Sequence, residues 1–131
     1  MSTFDLFVYG TLRSGAGAAG LLDGCEALGP GTVHGILYDI DGRFPALVLY
    51  ETEGAVHGEI WRCPAALLPS LDRYEGTADG LFRRVAAEVE TPRGHVPCWL
   101  YTAGPALSRK LVFDRRIPSG EWAEPARPAH G

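Results

Sequence analysis

Residues Phe4 to Ser14, FDLFVYGTLRS, constrain the fold more than any other stretch of this chain. Phe4, Leu6, Phe7 and Val8 form a nearly continuous apolar run with one acid, Asp5, near its start. Aromatic and β-branched residues favour strands, and apolar side chains on both sides of the pleat require cover on both faces. The run therefore predicts a strand buried on both sides. Gly10 stops it directly after Tyr9, and a glycine- and alanine-rich loop runs from Gly15 to Gly20. A glycine at a strand end lets the backbone turn and lets another group approach the main chain closely. A buried strand opening into such a loop can aim several backbone N–H groups at one point, which suits an oxygen or a carboxylate.

A strand of this kind needs partners, and the rest of the chain supplies them. Ala18 to Leu22 suits one helical turn, and Gly29-Pro30-Gly31 reads as punctuation before a strand over Thr32–Ile40. Asp41-Gly42 is a turn dipeptide. Phe44–Tyr50 reads as a short strand whose Pro45 points to a sheet edge or a strand start. Ala55–Trp61 alternates, with Val56, Gly58 and Ile60 on one face and His57, Glu59 and Trp61 on the other. The period then changes. Leu67, Leu68, Leu71 and Tyr74 or Glu75 recur at three and four residues, a helical stripe. Pro69 inside the stretch implies a first turn at Pro64–Leu68 and a helix proper from Pro69 or Ser70. Gly76 follows where a left-handed cap belongs.

Leu81–Glu90 returns to strand, with Leu81, Arg83, Val85, Ala87 and Val89 on one side and Phe82 and Arg84 on the other. Val96–Thr102 is its hairpin partner across Pro92-Arg93-Gly94, with Trp99 and Tyr101 on one face. From Ala103 onward four prolines predict largely irregular chain. Mostly antiparallel strands with one main helix and short flanking helices make an α+β domain. About five to seven strands in so short a chain curl into a small β-barrel that can enclose a small ligand. One domain is expected over residues 1–122, with 123–131 a flexible C-terminal tail whose last residues are mobile.

Charge and cysteine content narrow the function classes. The net charge is −4, with Lys+Arg 12 against Asp+Glu 16, which argues against a nucleic-acid surface. Cys25, Cys63 and Cys98 show no CxxC spacing, and the histidines show no HxH or HxxxH pairing. Reduced thiols and no metal follow, and nothing in the sequence calls for a cofactor. The start has no basic n-region, and no stretch approaches the roughly 20 apolar residues of a membrane helix, so a cytoplasmic protein without a membrane partner is expected.

Glu75 is the carboxylate out of place. It lies four residues after Leu71 on the apolar stripe, whereas a surface acid would fit better at Asp72 or Arg73. It also falls in the last turn of its helix, where the dipole disfavours another negative charge. Burial and dipole both push its pKa upward, and a glutamate so shifted suits acid–base work near neutral pH. Pairing with Arg83 or Arg84 is the alternative. Glu59, mid-strand beside His57 and Trp61, is a second candidate carboxylate, with a solvated or arginine-paired acid as its plainer reading.

YGTLR at Tyr9–Arg13, LDRYEG at Leu71–Gly76 and FRRV at Phe82–Val85, in that order, resemble the gamma-glutamylcyclotransferase-like superfamily. FPALV at Phe44–Val48, HGEIW at His57–Trp61, CWLY at Cys98–Tyr101 and IPSGEW at Ile117–Trp122 extend the likeness. The nearest resemblance is to the small single-domain branch that includes the gamma-glutamylamine cyclotransferases. It implies a small barrel flanked by helices. It also implies that Tyr9, Gly10, Thr11 and Leu12 bind a small gamma-glutamyl substrate and that Glu75 is the catalytic acid/base. Phe82 departs from relatives that often carry tyrosine. The implied reaction releases 5-oxoproline as the substrate's α-amine attacks its own γ-carbonyl. No enzyme nucleophile is needed, in keeping with a sequence that offers no recognisable Ser/His/Asp or Cys/His set. A non-catalytic module binding a small metabolite or a peptide end on the same barrel is the competing class. Removal of a gamma-glutamyl protecting group from a biosynthetic intermediate is a related one.

Overall fold

The computed structural model describes residues 2–10 and 19–122; Thr11, Leu12 and the expected tail 123–131 lie outside the described residues. The strands are β1 (Thr3–Val8), β2 (Glu26–Ile40), β3 (Phe44–Leu49), β4 (Ala55–Pro64), β5 (Phe82–Thr91) and β6 (Gly94–Ala103). One α-helix, α1 (Leu68–Tyr74), interrupts them, together with short 3-10 turns. The sheet order is β3-β2-β4-β1-β6-β5, and β2 pairs back onto β5. Five strands thus close a barrel, and β3 stands outside it as the edge strand that Pro45 foretold. The β1–β6 pairing is parallel and the others are antiparallel. Among the described residues no helix is long and apolar enough to cross a membrane.

The apolar run of β1 is buried on both faces, as its composition requires. Phe7 and Tyr9 pack with Val33, Leu37, Val56, Ile60, Val89 and Leu100, a cluster to which every barrel strand contributes. Leu6 and Val8 belong to a second layer with Leu71 of α1, Tyr101 of β6, and Leu22 and Leu107 from 3-10 turns. Inside the barrel Gly58 faces Gly31 across the β2–β4 pairing. A Cβ at Gly58 would lie 2.7 Å from the Phe7 ring, and one at Gly31 would lie 2.6 Å from Val89. These two glycines make the room that Phe7 and Val89 fill.

The structure departs from the sequence expectations at three places. β2 begins at Glu26, because Gly29-Pro30-Gly31 runs within the strand and a register shift between Ala27 and Gly29 absorbs it. Phe82, read on the face opposite Val85 and Val89, is buried too, because Phe44 of β3 covers it with ring centroids 5.7 Å apart. The chain after Ala103 is tied down more firmly than its prolines suggest. Ile117 N–H donates to the Leu37 carbonyl at 2.7 Å, His57 N–H donates to the Gly120 carbonyl at 2.8 Å, and Trp122 packs into the barrel cluster.

Candidate active site

The segment that carries Glu75 is short and well anchored. Pro64 leads into a 3-10 turn at Ala65–Leu67, and Pro69 occupies the first turn of α1, where a missing N–H costs nothing. Leu71 is completely buried and pins the helix to the outer layer. Glu75 is the C-terminal cap, its N–H donating to the Leu71 carbonyl at 2.9 Å. Gly76 then takes φ 67, the left-handed conformation that releases the chain from the helix.

Glu75 lines a cavity of about 320 Å³. The end of β1 contributes Tyr9 and Gly10, the β2–β3 hairpin contributes Arg43, Phe44 and Pro45, and β6 contributes Tyr101. Phe7, Val8, Tyr74, Leu81 and Phe82 complete a wall that is mostly apolar. Burial pushes the Glu75 carboxyl up from its usual 4.5 to about 8. Its negative charge in turn helps to raise the Tyr9 phenol, where burial is the larger cause, and adds to the rise at Tyr101. Tyr9 is itself buried. Its hydroxyl donates to the Tyr101 carbonyl at 2.5 Å and accepts from the Leu47 N–H at 3.2 Å.

The arginine-paired alternative for Glu75 does not occur among the described residues. Arg83 is exposed, and Arg84 is taken by Asp72, with Nε 3.0 Å and Nη2 3.4 Å from the two carboxylate oxygens. Asp72, read from the pattern as a surface acid, is half-buried and also accepts the Tyr101 hydroxyl at 2.7 Å. Sequence reasoning missed this group. Its signal was the spacing of Asp72 and Glu75, three residues apart and therefore close on one helix face. Arg43 was missed as well, because nothing local marks a turn residue as a cavity wall. Glu59 does not line the cavity and accepts from the Trp61 indole at 3.2 Å. Of the four residues expected to hold substrate, Tyr9 and Gly10 share the cavity with Glu75; Thr11 and Leu12 lie outside the described residues.

A second cavity, about 500 Å³, opens beside β2, lined by Leu37, Glu53, Phe113, Arg116, Ile117 and Gly120 among others. Its arginine is paired: Arg116 lies 3.6 Å from Glu53, and its guanidinium sits 5.0 Å from the centre of the Phe113 ring. Among the described residues no group of three His, Cys, Asp or Glu side chains could hold a metal ion.

The family described as gamma-glutamyl cyclotransferase, AIG2-like, has a model that matches residues 6–124. The chain belongs to that family. The gamma-glutamylcyclotransferase family protein YtfP of Escherichia coli K12 is 32% identical over 120 residues, which cover 91% of this chain and 96% of that protein. Two solved structures share the fold. An AIG2-like protein from Mus musculus superposes with a TM-score of 0.70 at 23% identity, covering 98% of this chain and 99% of that one. YkqA from Bacillus subtilis superposes with a TM-score of 0.75 at 24% identity, covering 92% of this chain but 40% of that longer one. The gamma-glutamyl cyclotransferase, AIG2-like match includes Glu75 and the other described residues that line its cavity.

Proposed function

We propose that this protein releases 5-oxoproline from a gamma-glutamyl amine or amide, with Glu75 as general acid and base. The supporting observation is a desolvated carboxyl, raised to about 8, in the wall of a small cavity that also holds Tyr9 and Gly10. Ring closure requires the substrate's α-amine to be neutral. A free α-amine titrates near ~7.7–8.0 and an ordinary glutamate near ~4.3, so moving the proton between them is uphill by roughly 5 kcal/mol. A carboxyl that titrates at about 8 makes the same transfer nearly level. The amine nitrogen attacks the γ-carbonyl carbon, the C–N bond to the leaving amine breaks, and Glu75 returns its proton to that amine.

Because nucleophile and electrophile belong to one molecule, holding the substrate folded back on itself supplies much of the catalysis. The apolar wall of Phe44, Pro45, Leu81 and Phe82 lowers the polarity around the carboxyl, which strengthens polar contacts made beside it. The backbone N–H groups of Gly10, Thr11 and Leu12 are our candidates for the oxyanion or the substrate carboxylate.

A panel of gamma-glutamyl amines, amides and dipeptides, assayed for 5-oxoproline, tests the reading. Turnover by the wild type and its loss in a folded Glu75→Gln variant are expected. Saturable binding without any 5-oxoproline would instead make the barrel a binding module.

A further inference from the structure

Tyr101, which lines the cavity, is bonded to two other elements. Its hydroxyl donates to Asp72 of α1 at 2.7 Å, and its carbonyl accepts the Tyr9 hydroxyl at 2.5 Å. Asp72 stands one turn before Glu75 on the same helix. It is held again by Arg84 of β5, which is the cross-strand partner of Tyr101. Arg84 is steadied in turn by the Trp99 ring, 4.4 Å below its guanidinium. On the far side, Tyr9 accepts from Leu47 of β3, so the tie runs on to the third wall.

A seven-residue helix has little stability or fixed direction of its own; its orientation comes from what it is attached to. Leu71 gives α1 an apolar contact, and apolar contacts are non-directional. The hydrogen bonds at Asp72 are directional, and one of them is charge-assisted on both sides. We propose that Tyr101 is a positioning residue that sets the gap between Glu75 on α1 and the Tyr9–Gly10 turn, acting through Asp72 on one side and Tyr9 on the other. The tyrosine hydroxyl is already given to Asp72, so its part lies in placing Glu75 and not in donating to substrate. The inference rests on Glu75 being the acid–base group. Proton transfer requires an approach of about 2.6–3.2 Å, and a displacement of roughly 1 Å can cost about 100-fold in rate.

The test is a double-mutant cycle of Tyr101→Phe and Asp72→Ala, read by steady-state kinetics and by the titration of Glu75. Phenylalanine keeps the ring and the backbone carbonyl, so the barrel should fold, and thermal melting checks it. Each single variant should lower kcat by about 10-fold to 100-fold with KM within about 2-fold. The double variant should be no worse than the poorer single, since both break one link. Additive losses, or no loss in kcat, overturn the proposal. The second readout does not need turnover. The carboxyl of Glu75, followed by infrared or carbon-13 NMR and identified by Glu75→Gln, should titrate near 8 in the wild type. It should move toward ordinary glutamate values in Tyr101→Phe as the side chain swings out. Among the described residues, the groups near it are Tyr9 and Tyr101 from the barrel, Arg43 in the same cavity wall, and the Asp72–Arg84 pair one turn back. If no substrate turns over, the proposed reaction fails, and an unmoved titration then overturns the positioning role separately.

Discussion

The two cavities described above differ in the opposite sense to their sizes. The larger, at about 500 Å³, sets Arg116 against both Glu53 and the Phe113 ring, so its principal cation is matched within the protein. The smaller, at about 320 Å³, keeps a desolvated carboxyl with no hydrogen bond or ion pair to its side chain among the described residues. A matched pair in a partly exposed cleft is worth little and does little. A lone acid out of water is costly to the fold and is easily persuaded to exchange a proton. What marks a reactive site is therefore what its walls do to a proton, not how much space they enclose.

The largest test of that contrast is chemical. Glu75→Gln should lower turnover by about 10²–10⁴-fold, measured as 5-oxoproline release, while Glu53→Gln in the other cavity should leave it unchanged. Equal losses from both would dissolve the distinction. The next effect is on stability and runs the other way. The folded chain holds the Glu75 proton up to about 8, whereas an exposed glutamate loses it near 4.5. Between those values the folded state binds more protons, so stability falls as pH rises, and the full cost is present above about 8. Glu75→Gln should thus be more stable than the wild type at pH 9, by at most roughly 5 kcal/mol, with the gap closing toward pH 4.5 in denaturant melts.

Glycines sharpen the contrast further. Gly120 has φ 68, and a side chain there would meet the Ala55 carbonyl, so Gly120→Ala should cost about 2 kcal/mol without altering turnover. Gly10→Ala puts a Cβ 2.8 Å from the Pro45 ring. It should cost only about 1 kcal/mol but lower kcat/KM by roughly 10-fold, because the narrowing falls where substrate must fit. Smallest of all, Glu53→Gln should shift the melting free energy by no more than about 0.5 kcal/mol, as its partner is over a third exposed.

Much of the barrel is legible in the sequence because its signals are local. Doubly apolar β1, the proline that puts β3 at an edge, the alternation of Val56, Gly58 and Ile60, and the left-handed Gly76 each follow from a few neighbouring residues. The Glu75 anomaly was legible for the same reason, as a charge on an apolar stripe. Long-range pairing was not. Gly29-Pro30-Gly31 reads as a break until β4 lies alongside and a register shift takes up the extra residue. Asp72 looks solvated until Arg84 and Tyr101, distant in sequence, arrive to hold it.

The barrel is closed where β2 meets β5, and among the described residues that junction has a single paired position, Thr32 with Glu90. Side chains brace it, with His34 3.1 Å and His95 3.6 Å from the Glu90 carboxylate. A seam zipped by one rung, as here and between β1 and β6, opens more readily than a long pairing. Amide protons of Val33 and Val89 should exchange with deuterium sooner than those along the β1–β4 pairing, which runs over six positions. Opening of that seam would loosen the wall between β2 and β5, neither of whose paired residues lines the cavity of Glu75.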